Sequence, residues 1–410
     1  MHRVLLVSYY FPPIGGIASI RAAGFAHHLP EFGWEPLVLA PRATPHAQDG
    51  QLRFRPESVV RARSIELSQL GKALPAASAG TGGRRGNLRD AVRSAAHRYV
   101  FYPDAQIGWY PGAVGAGLRT MRRYPVDLVH SSSVPITAHL VARTLSRHAG
   151  VRWVAEFRDP WSDTLPEDHP YAGRAGRLER RLGTEADSVV MPTPTWARQF
   201  KRRWEREVVL ITNGFDAVPD PAPPSDRPVV TYLGSYYAGR QSLAPVWQGL
   251  SELRKRLRHP PQVRFIGELS AEGRAELTVE GLGDLVDETG FVPHERAMQL
   301  LASSTMLVAA GETASTEIAR GYIPAKLFEY VASQLPVLYV GDPRDDAATM
   351  LAAYPGCYVV HPSDRRGIRE AFEQGLCAGT YDRDVSAITR REGARRLAAV
   401  LDHTLQSARS

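Results

Sequence analysis

The chain has 410 residues, which is longer than one ordinary hydrophobic core needs and predicts two domains. Its 43% hydrophobic and 23% charged residues are typical of a globular protein and exclude a chain that is largely disordered. The two cysteines, Cys357 and Cys377, are too few for a disulfide framework and favour a reducing, cytoplasmic setting.

The net charge of +7 fits an anionic substrate, an anionic membrane surface or no particular partner. No apolar run reaches the roughly 18 residues that a membrane span needs. The opening sequence MHRVLLVSYYFPPIGG does not predict a signal peptide, because its apolar run is only VLLV. We therefore expect a cytoplasmic protein whose membrane contact would be peripheral, at the inner face.

In the first half of the chain, short apolar runs alternate with amphipathic helical patterns. The run VLLVS (4–8) is followed by a helical pattern that ends near Gly33. The further predicted strands are PLVLA (36–40), DLVHSS (127–132), RWVAEF (152–157), SVVMP (188–192) and VVLIT (208–212). Continuous apolar strands that alternate with helices predict a parallel sheet covered on both faces. Residues 42–110 do not follow this alternation.

A proline- and aspartate-rich segment, residues 216–228, predicts a linker, after which the alternation begins again. The strands predicted there are VVTYLG (229–234), VRFIG (263–267), LVDETG (285–290), TMLVAA (305–310), PVLYVG (336–341) and CYVV (357–360). We therefore predict the α/β class, with two doubly wound Rossmann-like domains facing a central cleft. Their predicted limits are 1–215 and 216–384, and a terminal helix in 385–410 is predicted to cross back to the first domain.

The turn after the first strand contains two adjacent glycines, Gly15 and Gly16. Glycine lets the backbone approach a ligand closely, and the free amides of a helix start can bind a phosphate or a sugar oxygen. The spacing excludes the G-x-G-x-x-G fingerprint of dinucleotide-binding proteins. The alternative is a turn that needs glycine only for its backbone geometry.

Two more candidate sites lie towards the end of the first domain. Arg158 and Asp159 follow the strand 152–157 and are predicted to point into the cleft; the alternative is a structural ion pair at a strand end. Asn213, in ITNGFD (211–216), predicts a tight turn at the domain junction.

In the second domain, Gly234 ends a predicted strand and Arg240 follows it before the next helix. This pair predicts a grip on a diphosphate, because a guanidinium is a fixed fork of donors that suits phosphate oxygens. The alternative is an arginine on a surface loop.

The sequence YIPAKLFEYVASQLPVLYVG (322–341) predicts a short helix followed by a buried strand. Leu327 and Tyr330 share one face of that helix, and Lys326 and Glu329 share another. At the carboxyl edge of a sheet, a lysine can bind a phosphate and a carboxylate can accept hydrogen bonds from vicinal hydroxyls. The alternative is an exposed ion pair worth about 0.2–0.5 kcal/mol.

Taken together and in this order, several motifs resemble the GT-B glycosyltransferases, specifically family four of the retaining, nucleotide-sugar-dependent enzymes. The resemblance covers nearly the whole chain, and its main motifs are VSYYFPPIGG, ITNGFD, TYLGSYYAGR, GFVPHERAMQLLASSTMLVAA and PAKLFEYVASQLPVL. It implies that the C-terminal domain binds a nucleotide-diphosphate sugar of the UDP, GDP or dTDP type as co-substrate, with no other cofactor. It implies that the N-terminal domain binds the acceptor.

The resemblance also implies roles for single residues. Glu329 matches the second glutamate of the E-x7-E motif and would bond the ribose hydroxyls. Arg240, with Lys326 as a second cation, would clamp the pyrophosphate, and Gly15 and Gly16 would lie near the donor phosphates.

Leu327, Gly234 and Asn213 lie inside matching motifs and are predicted to belong to the binding site. Two positions depart from the family pattern. Gly321 stands where the first glutamate of E-x7-E belongs, and Arg158-Asp159 stands where many members have a His-Asp pair.

The implied reaction transfers a sugar to an acceptor hydroxyl or amine with retained anomeric configuration. Arg158 and Asp159 join Arg240 and Lys326 as candidate catalytic residues, and Asp159 would orient the acceptor or the donor sugar. No metal is predicted, because the acidic sequence DRD (382–384) is better explained as the start of the terminal helix. The alternatives are a nucleotide-sugar 2-epimerase, a catalytically silent sugar-nucleotide-binding protein and, disfavoured by the missing fingerprint, a dinucleotide-dependent oxidoreductase.

The acceptor is predicted to be a glycan, a lipid-linked molecule or a small natural product, and no nucleic acid partner is predicted. The segment 84–98 has five arginines against one aspartate and is followed by aromatic residues. This composition fits a peripheral contact with an anionic membrane or a bulky anionic acceptor. The alternative is a solvated helix face with the aromatic side chains in the core.

Overall fold

A computed structural model describes residues 1–42, 58–65, 102–166, 169, 171–217, 227–236, 241–257 and 259–407. The chain divides into two compact units. The first unit comprises Met1–Pro192, Trp196–Thr212 and Arg390–Ser410, and the second unit comprises Thr193–Thr195 and Asn213–Thr389. The two main divisions follow Thr212 and Thr389, whereas the sequence predicted them after residues 215 and 384.

The first unit is built on a parallel sheet of seven strands in the order β3-β2-β1-β4-β5-β6-β7. These strands are β1 (His2–Ser8), β2 (Trp34–Pro41), β3 (Val59–Ala62), β4 (Leu128–Ser133), β5 (Arg152–Phe157), β6 (Ser188–Met191) and β7 (Val209–Leu210). The strand order reverses between β1 and β4, and such switch points are where ligands bind in sheets of this kind. The sequence did not predict β3, which lies in the irregular stretch 42–110.

The second unit contains a parallel sheet of six strands in the order β10-β9-β8-β11-β12-β13. These strands are β8 (Val229–Leu233), β9 (Gln262–Ile266), β10 (Val286–Glu288), β11 (Met306–Ala310), β12 (Val337–Val340) and β13 (Cys357–Val360). The switch point of this sheet lies between β8 and β11. The two parallel sheets and their flanking helices confirm the predicted α/β class with two Rossmann-like units.

Helices connect the strands of both sheets. In chain order they are α1 (Ile17–His28), α2 (Tyr110–Arg123), α3 (Thr137–Ala149), α4 (Trp161–Thr164), α5 (Ala172–Glu185), α6 (Pro194–Trp204), α7 (Ala244–Arg254), α8 (Ala271–Val279), α9 (His294–Ala302), α10 (Glu317–Arg320), α11 (Lys326–Ala332), α12 (Asp346–Ala352), α13 (Arg365–Gly375) and α14 (Arg390–Gln406). Helices on both faces explain the continuous apolar runs, because a strand such as β11 is buried along its whole length.

The last helix, α14, belongs to the core of the first unit. Its residues Ala394, Leu397 and Leu401 are buried in one hydrophobic cluster with Phe25 of α1. The indole Nε1 of Trp34 donates a hydrogen bond to the Asp402 carboxylate at 2.9 Å. The chain therefore returns to the first unit after it has completed the second.

A buried glutamate in α5 makes the stability of the first unit depend on pH. The carboxylate of Glu179 is 1% exposed and accepts hydrogen bonds from the backbone N–H and the hydroxyl of Ser162, at 3.1 and 2.6 Å. Burial raises the pKa of Glu179 to about 7, although the hydrogen bonds from Ser162 favour the charged form. The folded protein therefore binds this proton more tightly than the unfolded chain does.

Because the pKa is raised on folding, the stabilisation is complete below the unfolded pKa of about 4.5 and is lost as the pH rises towards 7. We expect Glu179→Gln, which stays neutral, to be more stable than the wild type at pH 8 by about 1–3 kcal/mol. The two proteins should be nearly equal at pH 4.5. Urea unfolding at both pH values measures the difference, with the exposed Glu205→Gln as control. An equal effect of Glu179→Gln at both pH values would contradict the expectation.

Candidate functional site

The Tyr330 hydroxyl of helix α11 is hydrogen-bonded to both strands at the switch point of the second sheet. The backbone N–H of Leu233, the last residue of β8, donates to the Tyr330 hydroxyl at 2.8 Å. The same hydroxyl donates to the carbonyl of Val308 in β11 at 3.3 Å. Tyr330 therefore joins the two strands between which the strand order reverses. The first turn of α11, with Lys326 and Glu329, is held at the carboxyl edge of the sheet.

Lys326 is stacked on an aromatic ring. Its Nζ lies 3.5 Å from the centroid of the Tyr232 ring, and that ring is buried within β8. Burial lowers the pKa of Lys326 to about 7, so the amine is readily deprotonated near neutral pH. The ring face attracts the protonated form of the amine. A phosphate placed here would supply the negative charge that the protonated amine needs.

Glu329 lies one turn after Lys326 and contacts a second helix. Its Oε1 is 3.3 Å from Nε2 of His294, the first residue of α9. The Glu329 side chain is 16% exposed and that of His294 is 35% exposed, so both are partly accessible to a ligand. The starts of α9 and α11 therefore meet at the carboxyl edge of the sheet. His294 lies within the motif GFVPHERAMQLLASSTMLVAA, but no role was predicted for this residue.

Two glycines lie side by side at the ends of β8 and β9. Gly234 has a φ of +100° and its N–H donates to the carbonyl of Ile266 at 2.8 Å. Gly267 has a φ of +137°, and a Cβ there would lie 2.7 Å from the carbonyl carbon and oxygen of Gly234. Both positions therefore require glycine. Among the described residues, no atom lies within 4 Å of where a Cβ of Gly234 would be, so on that side the backbone of this turn is open.

The remaining candidates of the second unit are placed differently. Leu327 is completely buried, so its side chain packs in the core of the unit. Asn213 is partly buried, and residues 211–214 form no turn, contrary to the prediction. The reason is that Phe215 pairs with Thr389 in an isolated parallel bridge, which keeps this part of the chain extended. Arg240 lies outside the described residues.

In the first unit, Gly16 is the residue that precedes α1. It has a φ of +100°, which favours glycine, and its carbonyl accepts hydrogen bonds from Ser19 at 3.0 Å and Ile20 at 3.2 Å. In the part of the chain that the structure describes, no atom lies within 4 Å of where a Cβ of Gly16 would be. Gly15 and Gly16 therefore form an accessible turn next to the β1–β4 switch point.

Arg158 supports the neighbouring loop. Its Nε donates to the carbonyl of Ser133 at 2.5 Å and its Nη2 to the carbonyl of Val134 at 2.7 Å. Burial lowers the pKa of Arg158, and the carboxylate of Asp159 opposes this change. The guanidinium therefore fixes the loop after β4. Asp159 lies at the carboxyl end of β5, on the same edge of the sheet as Gly16.

A buried ion pair beneath this edge was missed by the sequence analysis. Nε of Arg21 in α1 donates to Glu156 Oε1 in β5 at 2.8 Å, and the hydroxyl of Ser132 donates to Glu156 Oε2 at 2.6 Å. Burial alone would raise the pKa of Glu156, but Arg21 and His130 outweigh it, and the pKa falls to about 2. A charged residue inside the apolar run RWVAEF was the signal that could have identified this pair.

Within the described ranges, no group of three or more His, Cys, Asp or Glu side chains is placed to hold a metal ion. No helix in that same part of the chain is both long and apolar enough to span a membrane. The arginine-rich segment 84–98 lies outside the described residues.

Residues 15–214 match the glycosyl transferase 4-like domain family. The match begins at Gly15, in the glycine turn before α1. It ends two residues after Thr212, where the chain leaves the first unit. Among curated protein sequences, none matches this chain at a significant level.

Several solved structures share the fold of the whole chain. HepE from Anabaena, solved with UDP and glucose, is 15% identical with a TM-score of 0.54, and the match covers 100% of both chains. The E. coli trehalose-6-phosphate structure with bound UDP-2-fluoro glucose is 12% identical with a TM-score of 0.61, over 99% of each chain. The sucrose-phosphate synthase from Thermosynechococcus elongatus is 16% identical with a TM-score of 0.57, over 99% of this chain and 96% of that one.

At such identities the structural likeness shows the fold, and the domain match adds the family. Residues 15–214 match the glycosyl transferase 4-like domain family, and the chain shares the fold of solved GT-B glycosyltransferases. The predicted resemblance to GT-B glycosyltransferases of the family 4-like type is confirmed.

Proposed function

We propose that this glycosyltransferase moves a sugar from a nucleotide-diphosphate sugar to an acceptor hydroxyl or amine, with retention of configuration and without a metal. The observation that carries the proposal is the first turn of α11. A lysine and a carboxylate lie there together, above the switch point of the second sheet. Similar structures hold UDP or a UDP-sugar, which supports a nucleotide-sugar donor.

In this proposal, two side chains of α11 bind different parts of the donor. Glu329 accepts hydrogen bonds from the ribose hydroxyls, and Lys326 binds the diphosphate. Breaking the bond to the sugar leaves negative charge on the diphosphate, and a positioned cation stabilises that charge as it develops. We include Arg240 and the amides of Gly15 and Gly16 as further donors to the phosphates.

Retention follows if the sugar is attacked on the face that the diphosphate leaves. In that arrangement the departing phosphate accepts the proton of the acceptor, so no carboxylate base is required. Asp159 then orients the acceptor or the donor sugar, and Arg158 holds the loop beside it. The acceptor is a glycan, a lipid-linked molecule or a small natural product, and the segment 84–98 is proposed to contact it or an anionic membrane.

The test begins with a thermal-shift panel of UDP, GDP, dTDP and ADP and their sugars. A nucleotide at about 100 times its dissociation constant should stabilise the protein by about 2.7 kcal/mol. Donor turnover is then measured with and without candidate acceptors, and NMR of the product gives its anomeric configuration. Turnover without acceptor would favour a 2-epimerase, and binding without turnover would favour a silent sugar-nucleotide-binding protein, an alternative that Gly321 keeps open.

We expect full transferase activity in excess EDTA, because Lys326 and Arg240 supply the positive charge that a metal would otherwise bring to the diphosphate. Initial rates are measured after dialysis against EDTA and again after addition of Mg²⁺ or Mn²⁺. Loss of activity in EDTA that either metal restores would show that the reaction depends on a metal.

A further inference from the structure

We propose that His294 is a positioning residue of the donor site, which orients the carboxylate of Glu329 towards the ribose. The proposal rests on the proposed function, because it assumes that Glu329 binds the ribose hydroxyls. It adds a second residue, from a different helix, to the recognition of the sugar of the nucleotide.

The contact itself is the first argument. Nε2 of His294 lies 3.3 Å from Oε1 of Glu329, which is ion-pair distance. An imidazole nitrogen at this distance favours the orientation of the carboxylate in which Oε1 faces His294. A carboxylate has two oxygens with several lone pairs, so one carboxylate can contact His294 and also accept from vicinal hydroxyls.

The position of His294 in the fold is the second argument. It is the first residue of α9, and its backbone follows Pro293 and the loop that leaves β10. Gly290, with a φ of +65°, allows this loop to turn at the end of the strand. His294 therefore reaches Glu329 from the start of α9 at the carboxyl edge, where the ligands of such sheets bind.

Exposure is the third argument. The His294 side chain is 35% exposed, so the pair is not closed off from a ligand. A partly exposed pair adds little to the stability of the fold, since such contacts contribute about 0.2–1 kcal/mol. Removal of the contact should therefore leave the protein folded, so that its effect on nucleotide binding can be measured.

The test is a double-mutant cycle of His294→Ala and Glu329→Ala on the full chain, read by calorimetric titration. The probes are UDP, GDP and their 2′,3′-dideoxy analogues. We expect His294→Ala to weaken binding of the ribonucleotide by about 2- to 5-fold. Its effect on the dideoxy analogue should be absent, and so should its effect in the Glu329→Ala background, because Glu329 is the group through which His294 acts.

His294→Gln keeps a donor of similar reach and should recover part of the affinity. The exposed neighbour Glu295→Ala is the matched control on the same helix, and it should leave both affinities unchanged. Equal losses for the ribose and dideoxy nucleotides, or additive effects of the two alanine substitutions, would overturn the role of His294. If Glu329→Ala does not weaken ribonucleotide binding, the ribose assignment itself fails, and with it the proposed function of α11. If none of UDP, GDP and dTDP binds, the proposed donor class fails.

Discussion

Glu329→Ala is expected to weaken the binding of a nucleoside diphosphate by about 2–4 kcal/mol, because the ribose hydroxyls lose a charged hydrogen-bond acceptor. This corresponds to about a 30- to 900-fold increase in the dissociation constant. The side chain is only 16% exposed, so water replaces the lost oxygens poorly. Calorimetric titration with UDP and GDP measures the effect.

Glu329→Gln serves as a second variant, because it keeps the shape of the side chain and removes its charge. We expect its binding to lie between those of the wild type and Glu329→Ala. Unchanged affinity in a folded Glu329→Ala protein would rule out a role of Glu329 in binding the ribose.

Lys326→Met is expected to lower turnover by about 10²–10³-fold, because one donor to the developing charge of the diphosphate is removed. Methionine keeps much of the apolar volume against the Tyr232 ring, so the fold should be retained. The loss of binding affinity should be larger for a nucleoside diphosphate than for a monophosphate, since the amine is proposed to bind the diphosphate. Lys255→Met, at an exposed position that follows α7, is the control.

The pH dependence gives a second measurement of the same residue. The pKa of Lys326 is about 7 in the protein, and a bound diphosphate favours the protonated amine and raises this pKa. Diphosphate affinity should therefore be full below pH 7 and fall by up to about tenfold per pH unit above it. Titration in buffers of different ionisation enthalpy at pH 8 should show proton uptake. Proton uptake that persists unchanged in Lys326→Met would rule out this assignment.

The fold was predictable because burial on both faces gives strands a simple signature. The runs 4–8, 36–40 and 305–310 lie in β1, β2 and β11, whose apolar residues are almost fully buried. The four-residue strand β3, VVRA, could not be identified, because at the edge of the sheet three of its residues are only partly buried. Because few residues of a short edge strand are buried, its sequence lacks a recognisable apolar pattern.

The candidate site was predictable as a set of residues on one helix, but not as a set of contacts. The spacing of Lys326 and Glu329 indicated that they share a helix face. Their partners, Tyr232 and His294, come from β8 and α9 and are far away in sequence. Such pairings are set by the tertiary arrangement of helices, and no local pattern contains them.

The contacts of Arg158 could not be predicted from the sequence either. The sequence favoured a role in the cleft, and the alternative was a structural pair with Asp159. In the structure the guanidinium donates to two backbone carbonyls, one at the last residue of β4 and one in the loop that follows. Backbone groups carry no signature in the side-chain sequence, so this anchoring function could not be read in advance.

The return of α14 to the first unit has a consequence for biosynthesis. A ribosome completes almost the whole second unit before it makes Ala394, Leu397 and Leu401, which fill the core against α1. Until then the apolar residues of α1 that pack against α14, such as Phe25, lack this cover, although all strands of the first unit have been made. The second unit, whose chain is almost continuous from Asn213 to Thr389, can fold first. The chain of the second unit is thus complete before that of the first, and we expect a fragment that stops at Thr212 to need a chaperone.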